Sequence, residues 1–190
     1  APVYDSIVSG PLDGCRRKSL SRLDNVANQK ILINGIGSGL DIPHLPADAQ
    51  YTGTDITPAM LELAKKRARQ SPLDINFELA DSQALHFHDD TFDAIIMHLI
   101  LAVVPDPASA LREAVRVLKP GGRIYLLDKF LKPGQIAIFR RLLNVFVRHV
   151  ATRTDVVFEE VLITCPELEN IHDEAALAKG WFRLIELKKT

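Results

Sequence analysis

The stretch Ile31-Leu32-Ile33-Asn34-Gly35-Ile36-Gly37-Ser38-Gly39 decides the fold. A short β-branched apolar run reads as a buried strand. The glycines that follow it mark a sharp passage from strand to helix, where backbone approaches a ligand that any Cβ would obstruct. Working outward, a second strand-like run at 51–55 ends in Asp55, twenty residues after Gly35. An acid in that place can accept hydrogen bonds from both hydroxyls of a ribose. Together these features make a nucleotide-cofactor signature. A dinucleotide fingerprint, G-x-G-x-x-G, would put its third glycine at position 40, which is Leu40. That spacing disfavours an NAD-dependent oxidoreductase.

Strand-like and helix-like segments alternate along the rest of the chain. β-Branched runs lie at 30–34, 51–55, 75–78, 94–98 and 123–128. Between them, Met60, Leu61, Ala64 and Ala68 recur at helical spacing over 58–69, and Ala110, Leu111, Ala114 and Val115 do so over 107–118. The alternation predicts an α/β fold: a Rossmann-like, doubly wound, mostly parallel sheet with helices on both faces. Pro43 and Pro46 shorten or break any helix directly after the glycine loop. The last third reads as a helix at 133–150, another at 155–163, and a terminal strand pair ending at 181–187 that adds an antiparallel C-terminal strand.

The 190 residues, 47% of them hydrophobic, suit one domain with a buried core. Its expected portions are an N-terminal helical segment at 1–28, a cofactor-binding core at 29–128 and a C-terminal, substrate-side portion at 129–190. A formal net charge of −1 opposes a nucleic-acid-coating role, which needs a strong basic excess. Cys15 and Cys165 are too few for a disulfide framework or a zinc site, so no metal is expected and a reducing, cytoplasmic setting is the default. The first residues lack the basic start and apolar stretch of a secretory signal, and no run of about 18 uncharged apolar residues would span a bilayer.

The G-x-G-x-G order at 35–39 resembles motif I of the class I S-adenosylmethionine-dependent methyltransferases. Further stretches resemble the same family in the same order. Tyr51 to Asp55 and the following Ile56 to Ala64 are similar to its second strand and next helix, and Ala80-Asp81-Ser82-Gln83-Ala84-Leu85 is similar to its adenine-contacting loop. Asp89 to Met97 resembles its fourth strand, and Val117 to Arg123 the turn before its fifth. The resemblance implies S-adenosyl-L-methionine as cofactor. Gly35, Gly37, Ser38 and Gly39 would then line its methionine and ribose part, Asp55 and Ile56 the ribose end, and Asp81 with Ser82 the adenine edge. The other reading of Asp81-Ser82 is an ordinary polar turn. Methyl transfer is an in-line displacement, so the enzyme mainly aligns the acceptor's lone pair and needs no fixed nucleophile.

One position departs from the family, which usually carries an acid two residues before the first glycine, where this chain has Ile33. An anchor for the cofactor's ammonium end is missing, and Asn34 cannot replace it, because adjacent strand residues point to opposite faces. Asp41 could approach from beyond the loop. An alternative to catalysis follows: a non-catalytic domain of the same fold that binds a ligand or partner. The candidate catalytic residues are His98, after the fourth strand and also counted toward the cofactor site, and Tyr4. An imidazole there could orient an acceptor or take its proton, or it could be a buried, hydrogen-bonded histidine. Tyr4 and Arg16-Arg17 lie in the N-terminal segment, which in this family often covers the pocket; packing and solvation are their plain alternatives. His86 and His88 read as structural, without a third ligand for a metal.

A finer resemblance links the Gly35 to Pro46 stretch, Tyr4-Asp5, Gly14, Arg16 and Gly180 to Ile185 to bacterial phospholipid N-methyltransferases, which methylate phosphatidylethanolamine. Ubiquinone and menaquinone C-methyltransferases share several of these motifs. The implied acceptor is small or lipid-like. Residues 129–154 carry Lys129, Lys132, Arg140, Arg141, Arg148 and Arg153 and no acid, interleaved with apolar residues. That pattern suits either peripheral contact with anionic lipid or a covering helix with a basic outer face.

Overall fold

The side chains of β1 (Lys30–Asn34) divide the core in two. Ile31 and Ile33 enter one apolar cluster, with Leu20, Tyr51, Leu61, Ala64, Ile96 and Tyr125. Leu32 enters another, with Ile95, Met97, Leu111, Val115, Ile124 and Leu126. This is the two-residue alternation of a strand covered on both faces. The computed structural model describes residues 2–131 and 156–190. In chain order the other elements are α1 (Pro2–Leu20), β2 (Gln50–Asp55), α2 (Pro58–Ala68), β3 (Ile75–Leu79), β4 (Phe92–His98), α3 (Pro107–Val117), β5 (Leu118–Lys129), α4 (Phe158–Leu162), β6 (Leu168–Leu177) and β7 (Phe182–Lys189). α1 and α2 cover the first face, and α3 and α4 the second.

The sheet has seven strands in the order β3-β2-β1-β4-β5-β7-β6. The β3/β2, β2/β1, β1/β4 and β4/β5 pairs are parallel, whereas β7 runs antiparallel to both β5 and β6. The strand order reverses between β1 and β4, so their carboxyl ends open a crevice at the switch point of a doubly wound sheet, where such folds bind ligands. The α/β expectation holds, including the antiparallel C-terminal strands.

The start of β5 differs from the sequence reading. β5 begins at Leu118 instead of 123, because the Lys119 to Gly122 turn is absorbed as an irregularity between the Phe92–Leu118 and Ala94–Arg123 pairs. After the glycine loop only a 3₁₀ turn forms, Ile42–His44, as Pro43 requires. The helix expected at 133–150 lies outside the described residues. α3 is fixed at its start by Asp106, whose carboxylate accepts from the Ala108 and Ser109 N–H groups, with Pro107 in the first turn.

Candidate functional site

The glycine loop is tied to β2 by backbone. Gly35 N and Ile36 N both donate to Thr54 O, at 3.0 and 2.7 Å. Gly37 has φ +55°, and no atom lies within 4 Å of where its Cβ would be, so its peptide faces open space. Gly39 has φ +79°, and a Cβ there would meet Ala64 Cα at 3.1 Å, so its absence lets the loop rest on α2. Ser38 is buried, and its carbonyl accepts from Arg67 of α2, which braces the loop from below.

Asp55, at the carboxyl end of β2, links this loop to the next helix. Its Oδ2 accepts from Gly37 N at 3.0 Å and its Oδ1 from Thr57 N at 2.8 Å. Each carboxylate oxygen retains a lone pair, so a diol can still be read by an acid whose orientation is already fixed. Beside it two apolar side chains stand out from the ends of β2 and β3: Ile56 is 64% exposed and Leu79 57%. The pair makes apolar lips suited to a flat ring. Leu79 was missed in the sequence, where an apolar residue ending a strand looks like any core position.

Asp81 and Ser82 separate in role. The Asp81 carboxylate accepts from Gln83 N at 2.9 Å and stays partly exposed next to the lips. Ser82 turns inward and donates to Asn34 Oδ1 at 2.7 Å. Asn34 is fully buried, and among the described residues its amide nitrogen has no hydrogen-bond partner. The end of β1 therefore presents an unmatched donor beside the glycine loop.

Ile33 is 1% exposed and points the other way, into the cluster under α1 and α2. The position that would carry an acid is thus sealed in apolar packing. Asp41 does come under the loop, but its charge is committed: Oδ1 accepts from Arg16 Nη1 at 2.7 Å and from His98 Nδ1 at 2.8 Å. Burial pushes the Asp41 carboxyl up, yet the His98 and Arg16 charges and hydrogen bonds outweigh it and hold the group well below the usual carboxylate range. The other His98 nitrogen, Nε2, lies 3.0 Å from Ser19 Oγ of α1. Arg16, Ser19, Asp41 and His98 are all buried.

Tyr4 lies near the start of α1, and its side chain is outside the described residues, as is most of the basic 129–154 segment. His86 pairs with Glu78 at 2.5 Å away from this group. Among the described residues no three histidine, cysteine or acidic side chains converge as metal ligands, and no helix is long and apolar enough to cross a membrane. At the end of β5, Asp128 is fully buried, with its carboxylate accepting from Ala102 N at 3.1 Å and Lys129 N at 2.8 Å. Burial pushes its carboxyl up to about 6.

The arrangement brings an open glycine loop, an oriented carboxylate and exposed apolar side chains together at the carboxyl ends of β1, β2 and β3. A family model described as a methyltransferase domain matches residues 32–126, half of the chain. Over 190 residues, 98% of this chain and 93% of the relative, the sequence is 26% identical to a phosphatidylethanolamine N-methyltransferase from Cereibacter sphaeroides. A ubiquinone/menaquinone biosynthesis C-methyltransferase from Geotalea daltonii is 32% identical over 156 residues, 77% of this chain and 66% of the relative. Among solved structures, a geranyl diphosphate C-methyltransferase from Streptomyces coelicolor A3(2) superposes with a TM-score of 0.76 at 16% identity, covering 94% of this chain and 81% of that one.

Proposed function

The chain belongs to the methyltransferase domain family, and from that premise we propose that it moves a methyl group from S-adenosyl-L-methionine to a lipid-like acceptor, the amine of phosphatidylethanolamine. When bound, this cofactor supplies an activated methyl group on a sulfonium. The observation that carries the reading is the Asp55 carboxylate, held by Gly37 N and Thr57 N at the carboxyl end of β2, one strand from the switch point of the sheet. Asp55 would accept the ribose hydroxyls, while the backbone of Gly35, Gly37, Ser38 and Gly39 lets the cofactor's chain lie close. Ile56 and Leu79 would sandwich the adenine, with Asp81 accepting from its exocyclic amine. Ser82 acts one step back, through Asn34. The Asn34 amide, lacking a partner, would donate to the cofactor from the end of β1.

The choice of acceptor rests on the relative that matches nearly end to end, a phosphatidylethanolamine N-methyltransferase, and on the cation-rich 129–154 stretch. Transfer to an amine needs an unprotonated nitrogen, so a base near the acceptor is required. His98, at the carboxyl end of β4, is our candidate, with Tyr4 helping to position the acceptor. Radiolabelled methyl transfer to phosphatidylethanolamine in mixed anionic vesicles, beside a demethylmenaquinone acceptor, tests the assignment. Label in the phospholipid supports it; label only in the quinone moves the chain to the C-methyltransferases.

A further inference from the structure

We propose that Ser19 and His98 form a proton relay set by Asp41 and Arg16, completed only when α1 is seated on the sheet; the inference rests on the amine-acceptor reading above. Its chemistry follows from the donors and acceptors present. An ionised carboxylate only accepts hydrogen bonds, so the His98 nitrogen facing Asp41 Oδ1 at 2.8 Å, Nδ1, carries a proton. A neutral imidazole then has Nε2 bare. The sole described group on Nε2 is the Ser19 hydroxyl, at 3.0 Å, which donates to it when the imidazole is neutral. Ser19 is itself buried, so the relay requires the acceptor amine to enter beside α1, where the Ser19 oxygen keeps lone pairs for its N–H.

Arg16 joins His98 in holding Asp41 ionised. Its Nη1 lies 2.7 Å from the same Oδ1 that His98 uses, with side-chain exposures of 8% and 4% for the pair. Burial alone would push the Asp41 carboxyl up, and His98 and Arg16 together oppose it; a protonated acid would no longer dictate the imidazole tautomer. Arg16 and Asp41 are therefore positioning residues. The charged and titratable groups facing His98 come from two elements: Arg16 on α1, and Asp41 on the turn after the glycine loop.

The transfer balances. The acceptor's ammonium N–H breaks as its proton passes to Ser19 Oγ; the Ser19 O–H breaks as its own proton passes to His98 Nε2. Serine ends neutral, the imidazole gains one positive charge beside Asp41, and the acceptor nitrogen keeps the freed electron pair. Two of the four residues ride on α1, so withdrawal of the helix removes the relay and leaves His98 with Asp41 alone.

Nitrogen NMR of the full chain with ¹⁵N-histidine tests this independently of the acceptor. The expected result at neutral pH is a protonated Nδ1 and a bare Nε2 for His98, with mixed tautomers in Asp41→Asn. A protonated Nε2, or a tautomer unchanged in Asp41→Asn, overturns the relay. In vesicles, Ser19→Ala is expected to lower kcat about 10-fold and His98→Gln about 100-fold or more, with cofactor affinity by calorimetry unchanged and Ser19→Thr restoring most of the rate. Wild-type kcat in Ser19→Ala also overturns it. Absence of turnover on phosphatidylethanolamine by the unaltered protein removes the acceptor assignment alone, because the nitrogen spectra still decide the relay.

Discussion

Ile33 shows how a single residue can look like a lost function in sequence and a packing element in space. It sits 1% exposed in an apolar cluster, where a carboxylate would have neither water nor a cation. Reinstating the acid should therefore not improve cofactor binding. We expect Ile33→Glu to lower stability by about 3–5 kcal/mol, the cost of an uncompensated buried charge, measured as a drop in the urea midpoint; an unchanged midpoint would show that the side chain can reach solvent. Asp55 is the contrasting case. Its placement at a strand end beside the glycine turn could be read from spacing alone, because a strand end, a glycine turn and an acid twenty residues on lie within two consecutive β-strands. The group around His98 could not. Its contacts join residues 25, 57 and 79 positions apart, and nothing local marks Arg16 as a buried cation or Asp41 as its partner.

At the scale of elements, burial and capping make separable predictions. Asp106 satisfies two orphan N–H groups of α3, and Asp106→Ala should cost about 1 kcal/mol, seen in chemical denaturation without a change in cofactor affinity. The end of β5 makes a pH prediction. Burial pushes the Asp128 carboxyl up to about 6, above the roughly 3.9 of an exposed aspartate. Between those values the folded chain holds a proton that the unfolded chain has released, so stability falls as pH rises through about 4 to 6, by up to about 3 kcal/mol. Asp41 acts oppositely and in a lower window: its depressed carboxyl contributes fully above about pH 4, and that contribution is lost as pH falls. Melting curves should thus improve from pH 7 to pH 5 in the native chain, and Asp128→Asn should abolish that gain. A flat native profile would mean that Asp128 is solvated. The elements themselves were legible where periodicity was strong, as in β1 and α3. The start of β5 was not, because a Pro-Gly-Gly turn reads as an interruption although the sheet absorbs it as a bulge.

For the whole molecule, the parallel half of the sheet brings the glycine loop, Asp55, the exposed Ile56 and Leu79 and the buried His98 to the carboxyl ends of β1, β2, β3 and β4, although these are four separate strands of the chain. The order of alternating segments made that architecture readable in the sequence, since parallel strands with covering helices admit few windings. What the alternation left open was how α1 would attach. It docks through the buried Arg16–Asp41 and Ser19–His98 contacts, joining the N-terminal helix to the crevice. The central claim, that this crevice binds S-adenosyl-L-methionine through Asp55, is tested most directly by calorimetric titration of the protein and of Asp55→Ala and Asp55→Asn, with melting curves confirming that the variants fold. The account predicts saturable binding by the native chain and an affinity loss of about 100-fold or more in both folded variants, as expected for losing charge-assisted bonds to two hydroxyls. Binding that survives in folded Asp55→Ala, or no binding by the native chain, would contradict it.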